Sequence, residues 1–174
     1  NMETSLREID WVSDVSVSRR WPDTLQVSVK EERLIAAWNK KKWVTSDAAV
    51  VEIPNLKMKG LPRWSGPEGT QALVQLRYHQ FSNLLADVGM QLDQITYSQR
   101  GAWQLIAHNS SRNEEVKIRL GRRDMTDRLY RFARAYGQTL DKLEQRLDSV
   151  DLRYPNGFAV KWNSIEEERP VSAG

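Results

Sequence analysis

Between Leu92 and Leu120 three short runs follow one another in which apolar and polar residues alternate, and this stretch restricts the chain more than any other. In the last run Val116, Ile118 and Leu120 alternate with Lys117 and Arg119. Successive side chains on a strand point to opposite faces, so the pattern demands a sheet with one dry face and one wet face. That is the habit of antiparallel sheets; parallel ones are buried on both sides. The earlier runs, 92–98 and 102–108, are separated by short turns and read as a meander with the third. The dry face then needs a cover.

Two amphipathic stretches can supply it. From 70 to 88 the residues Leu73, Leu76, Phe81, Leu84, Leu85 and Val88 recur at helical spacing, with Thr70 placed to cap the start and Gly89 to stop the helix. A second helix starts at Asp124 as its cap and carries Met125, Leu129, Phe132, Ala133, Leu140, Leu143 and Leu147. Gly137 weakens its middle by about 1 kcal/mol relative to Ala, which predicts a bend or break there.

Upstream, Asn1 to Ile9 reads as the tail of a helix already under way, so the pattern leads us to expect sequence before it. Val15 and Val17, then Leu25, Val27 and Val29, form two period-two strands joined by Arg20-Trp21-Pro22-Asp23, a turn in which proline fixes one φ. Residues 34–38 and 42–45, followed by Val50-Val51, read as a second hairpin opening a new domain, with the boundary near 31–33. The stretch 55–69 holds Pro62, Pro67 and three glycines and reads as a long irregular connection. Two strands close the ordered part. Val150, Leu152 and Tyr154 share one face, and Phe158, Val160 and Trp162 share a face of the partner strand, around a tight Pro155-Asn156-Gly157 turn expected to use positive φ. Residues 163–174 read as a flexible tail. The last strand then has nothing after it to cover its edge, and a free edge can pair with another chain.

Composition narrows the function further. The chain has 26 Lys+Arg against 23 Asp+Glu, a net charge of +3, and the charges are interspersed. Phosphate neutralisation needs a clustered basic surface, so nucleic acid is not an expected partner. With no cysteine, disulfides, thiolate metal sites and cysteine nucleophiles are excluded. No apolar run approaches the roughly 18 residues that span a bilayer.

Catalytic chemistry finds little support. His79 and His108 stand apart from one another, without a carboxylate at ligand spacing, and read as solvated surface residues. Gly66-Pro67-Glu68-Gly69 and Gly121-Arg122-Arg123-Asp124 precede helices but match no phosphate-loop spacing and read as caps. The pair Glu114-Glu115 would point to opposite faces of a strand, which rules out a general acid/base pair. Seven tryptophans spread evenly read mostly as core or loop anchors, and Trp162, on the terminal strand, is either the last piece of core or an interface anchor. Neither enzyme chemistry nor a cofactor is expected.

Trp11 to Val17, Arg20-Trp21-Pro22-Asp23, Ala37-Trp38-Asn39, Gly66-Pro67-Glu68-Gly69, Trp103-Gln104-Leu105, Leu120-Gly121-Arg122 and Val150-Asp151-Leu152-Arg153-Tyr154 occur in this order along nearly the whole chain. Together they resemble the periplasmic region of the FtsQ/DivIB cell-division family. The resemblance implies an α+β chain: a partial POTRA domain, helix plus β-hairpin, at 1–32, then a β domain with a mostly antiparallel sheet and two helices at 33–162. It implies a non-enzymatic scaffold of the divisome, anchored in the inner membrane by one upstream helix. Its partners would be FtsB and FtsL on the β domain and FtsK on the POTRA side, with FtsW and FtsI as further candidates. The positions that match the family's partner surface are Arg100, Arg153, Tyr154, Asn156, Gly157 and Trp162, and on the POTRA side Val17 and Arg19. The alternative from another class is a POTRA-type client-binding module of outer-membrane protein transport.

Overall fold

The computed structural model describes residues 12–20, 24–31 and 33–163, with side chains from Arg33 onward. The expected helix at 1–9, Trp11, the Trp21-Pro22-Asp23 turn and the tail from Ser164 lie outside the described residues. The chain divides into two compact units, 1–63 and 64–174.

In the first unit β1 (Val12–Arg20) pairs antiparallel with β2 (Thr24–Glu31), setting Val15 opposite Val29 and Val17 opposite Val27. The second expected hairpin is present as a three-stranded antiparallel meander of β3 (Leu34–Trp38), β4 (Lys42–Thr45) and β5 (Val50–Val51). Ala36, Trp38, Trp43 and Val44 are its buried residues. The region read as irregular, 55–69, contains one short strand, β6 (Arg63–Ser65), whose central Trp64 is fully buried.

The second unit contains the sheet on which everything else rests. Its strands are β7 (Gln91–Tyr97), β8 (Trp103–Asn109), β9 (Glu114–Gly121), β10 (Leu147–Asp151) and β11 (Ala159–Trp162), in the order β11-β10-β9-β8-β7. β7, β8 and β9 form the expected antiparallel meander. Leu92, Ile95, Leu105, Ala107, Val116, Ile118 and Leu120 line its dry face. Lys117 and Arg119 are exposed on the other. β10 lies parallel to β9, Val150 beside Ile118, after a helical crossover. That arrangement was not legible in the strand pattern, which carries no sign of direction. β11 returns antiparallel to β10.

The cover is α1 (Gln71–Ala86) and α2 (Met125–Gln138). α1 buries Val74, Phe81 and Leu85, while Leu76 is 55% exposed and Leu73 is also exposed. The expected stripe was therefore offset at its start by one residue. Tyr78 completes the true stripe: its hydroxyl donates to the Leu92 carbonyl at 3.1 Å and its ring lies 5.1 Å from that of Trp64. Gly89 ends α1 with φ of +72°, as expected.

Neither proposed cap side chain serves. The Thr70 hydroxyl donates to the Pro67 carbonyl at 2.6 Å instead, and Asp124 sits in the left-handed region at φ 52° without a capping bond. α2 also stops at Gln138, earlier than its apolar spacing implied. Leu140 falls in a short 3₁₀ turn, Leu143 is exposed, and Leu147 opens β10. The helix ends at Gln138, one residue past Gly137, in keeping with the expected break. A Cβ on Gly137 would stand 3.1 Å from Cγ1 of Val88, so glycine permits close approach between the ends of α1 and α2.

Candidate functional site

β11 is the end strand of its sheet, hydrogen-bonded on the β10 side alone among the described residues. Three anchors hold it there. Phe158 packs edge to face on Phe132 of α2, with ring centroids 6.0 Å apart. The Asn163 amide donates to the Arg146 carbonyl at 2.8 Å. Trp162 stands opposite the buried Leu147, which puts Val160 and half-buried Trp162 on the dry side and leaves Ala159 and Lys161 exposed. The shared face of Phe158, Val160 and Trp162 is thus as the alternation implied.

The start of β10 is fixed by a buried polar network that the sequence did not announce. Glu114 is only 3% exposed. Its carboxylate accepts from the Tyr136 hydroxyl at 2.5 Å and from the Leu147 amide. Asn109 donates to the same tyrosine oxygen at 3.2 Å. Arg112 Nε lies 3.5 Å from Glu114, and its other nitrogens donate to the carbonyls of Asp141, Leu143 and Gln145. Burial first, and then the bond to Glu114, push the Tyr136 phenol above its ordinary range. One charged group therefore ties β8, β9, α2 and the 139–146 connection to the strand that carries β11.

Between β10 and β11 the structure corrects the expected tight turn. Residues 152–158 form a longer connection that does turn at Pro155-Asn156, as expected, but neither Asn156 nor Gly157 has positive φ. Leu152 is still held to the sheet by its amide, which donates to the Arg119 carbonyl at 2.8 Å. The segment beyond bends away, and Arg131 of α2 holds it by donating to the Pro155 carbonyl at 3.2 Å. Tyr154 consequently lies off the strand and is 56% exposed, which excludes a core role for its ring.

Arg153 is already engaged. Its Nε and Nη2 grip both oxygens of Asp151 at 2.8 and 2.6 Å, and its amide donates to Asp151 Oδ1 at 3.1 Å. This guanidinium holds the Asp151 carboxyl below the usual carboxylate range. The fork is fixed in direction, and its Nη1 side makes no hydrogen bond to a described residue.

Arg153 also lines a cavity of about 480 Å³ with Ala102, Gly121, Arg122, Arg123 and Arg128. Gly121 makes the cradle possible. Its φ is +81°, and a Cβ would fall 3.1 Å from Arg153 Cγ and 3.3 Å from Arg128 Nη1. Arg128 is steadied by donating to the Leu120 carbonyl at 3.0 Å. The exposed Arg100 sits in the adjoining turn, where the Gly101 amide donates to the Ser98 carbonyl at 2.9 Å and a Cβ on Gly101 would lie 3.8 Å from Arg122.

The structure thus brings Arg100, Arg153 and Tyr154 to one end of the sheet, while Trp162 lies at the far end of β11, opposite the start of β10. Val17 and Arg19 lie on β1, paired with Val27 and Leu25; their side chains are not described. The sequence reading took Gly121, Arg122 and Arg123 for part of a helix cap and did not single out Arg128 or Asp151 as site residues. Two signals pointed to them: a basic pair directly after a strand glycine, and the two-residue spacing of Asp151 and Arg153.

A second correction concerns His108. Its Nδ1 lies 2.6 Å from Asp93 Oδ2 and its Nε2 3.0 Å from Ser110 Oγ, a serine, histidine and aspartate in line. Sequence spacing hid this because Asp93 comes from the neighbouring strand. His108 and Asp93 are half-buried on the wet face, and the nearby Ser111 amide is already given to Asn109 Oδ1, which removes it as an oxyanion donor. Among the described residues no group of three His, Asp or Glu side chains could hold a metal, and no helix is long and apolar enough to cross a membrane.

Comparison with known proteins agrees with this architecture. Residues 36–153 match the family described as Cell division protein FtsQ/DivIB, C-terminal, and residues 1–32 match POTRA domain, FtsQ-type. The Cell division protein FtsQ of Coxiella burnetii is 34% identical over 94% of this chain and 65% of its own length. That of Neisseria meningitidis is 35% identical over 93% of this chain and 66% of its own length, and that of Escherichia coli 31% over 93% and 59%. The chain thus spans just under two thirds of the first two relatives. An α+β chain with an FtsQ-type POTRA segment followed by the C-terminal domain, it belongs to the FtsQ/DivIB family of cell-division proteins.

Proposed function

We propose that this chain is a non-enzymatic scaffold of the divisome that captures an extended segment of an FtsB-like partner along the outer edge of β11. The observation that carries this reading is the position of β11 as an end strand with an exposed tyrosine and an arginine cradle beside it. The partner's backbone continues the ladder, while Tyr154 and Trp162 pack on its side chains. Its carboxylates meet Arg100 and the Nη1 side of Arg153, whose other side Asp151 already holds. Asn156 and Gly157, exposed in the 152–158 connection, border the same approach.

FtsL joins through the same domain and FtsK through Val17 and Arg19 on β1, with FtsW and FtsI as further candidate partners at no assigned site. In this reading residues 1–32 close a POTRA domain, 33–162 form the β domain and 163–174 a tail. The protein sits in the inner membrane through an upstream helix, its β domain in the periplasm and at the septum. The family match supports this over a client-binding module of outer-membrane protein transport.

Calorimetric titration with the C-terminal periplasmic segment of the partner tests the reading. Tyr154→Ala is expected to weaken binding by about 2 kcal/mol, roughly 30-fold, with an unchanged melting temperature. Arg153→Glu should act in the same direction. Full affinity in both variants would remove the edge of β11 from the interface.

A further inference from the structure

A second basic surface lies in the first unit and plays no part in the reading above. Residues 37–59 hold five lysines, Lys40, Lys41, Lys42, Lys57 and Lys59, against Asp47 and Glu52, a net charge of 5 − 2 = +3 in 23 residues, as large as that of the whole chain. Asp47, though exposed, accepts a hydrogen bond from the Thr45 hydroxyl. None of the ion pairs among the described residues involves these lysines.

Four of the five, Lys59 excepted, line a hollow together with the acidic Glu52. A cavity of about 610 Å³ has Lys40, Lys41, Lys42 and Lys57 among its lining residues and Trp43 and Met58 as apolar wall. Met58 is 42% exposed, whereas Trp43 is held in the core at 9%. The turn that presents the lysines is itself costly. Asn39 and Lys40 both have positive φ, 46° and 74°, and at Lys40 this costs about 1 kcal/mol that glycine would avoid. A lysine kept where the backbone favours glycine points from an observed strain toward a use for its charge.

We propose that this hollow docks an acidic peptide segment that carries a large apolar side chain. The carboxylates meet Lys40, Lys41 and Lys57, and the apolar side chain seats against Trp43 and Met58. Charge complementarity selects the acid, since lysines are flexible point charges that accept carboxylates without a fixed geometry. The concavity selects a peptide over a membrane surface, because a lipid interface is met by protruding apolar residues and here Trp43 forms the wall of a recess.

The probe is a synthetic peptide, Glu-Asp-Leu-Glu-Glu-Met-Asp-Glu, capped at both ends, beside a control with Gln and Asn replacing its acids. Titration into the whole chain at low salt, followed by calorimetry and by the Trp43 indole resonance, should give saturable binding that the neutral control lacks. Lys41→Glu with Lys57→Glu should weaken it by roughly tenfold, because both side chains are exposed and each reversal adds a repulsion to a lost attraction. Lys117→Glu on the wet face of β9 should leave it unchanged, which separates this surface from a general response to surface charge. Equal binding of the neutral peptide, full affinity in the double variant, or sedimentation with phosphatidylglycerol vesicles without peptide binding would each overturn the proposal.

Discussion

Gly121 and Gly157 flank the same surface, yet the backbone asks different things of them. At Gly121 a side chain would meet Arg153 and Arg128 while the backbone stays at φ +81°. Gly121→Ala is expected to cost about 1–2 kcal/mol in urea unfolding and to weaken the arginine cradle's hold on an anionic partner. At Gly157 φ is not positive and no atom lies within 4 Å of the added Cβ, so Gly157→Ala should stay within about 0.5 kcal/mol of the parent. The dipeptide Asn156-Gly157 looked like the stronger turn signal, and the structure reverses that ranking.

Among the elements, the 139–146 connection has the most to lose from one substitution. Arg112 holds three of its carbonyls and neutralises the buried Glu114 that receives the Leu147 amide. Arg112→Ala should destabilise the second unit by about 3 kcal/mol, since it strands a buried carboxylate. Hydrogen exchange should then show β10 and β11 losing protection before β7 and β8. The same arginine explains where reading the sequence stopped working. The meander, both helix starts and the strand residues Val150, Val160 and Trp162 were legible, because alternation and helical spacing are local. Leu140, Leu143 and Leu147 continued the helical spacing, but a guanidinium from 29 to 33 residues upstream rewards an irregular path instead. The same limit hid Asp93 beside His108 and the arginine cradle, each assembled across strands. Exposed Tyr154 and the edge position of β11 were legible as to place, whereas the longer 152–158 connection was not, because Arg131 reaches it from α2.

Taken as a whole, the molecule's pH range has one boundary at each end. The Asp151 carboxyl is held low, so its contribution is present above the ordinary carboxylate range and is lost as the pH falls through its lowered value. Tyr136 is raised, so its contribution is complete below about pH 10 and fades as the pH rises toward the raised value, where the unfolded chain alone ionises. Urea titrations across pH should therefore show the stability gap between the parent and Tyr136→Phe narrowing above about pH 10. The gap between the parent and Asp151→Asn should narrow in acid. A constant gap in either series would dissociate that residue from the boundary.

The parallel pairing of β10 with β9 carries a last consequence. β10, the neighbour of β11, does not follow β9 by a short turn; it arrives only after residues 122–146 have crossed the dry face as α2 and its connection. A chain interrupted by early termination, or clipped in that crossover, ends its sheet at β9 and displays a different rim, charged by Lys117 and Arg119. A partner that paired with β11, as proposed above, would meet that edge only on chains whose crossover is complete.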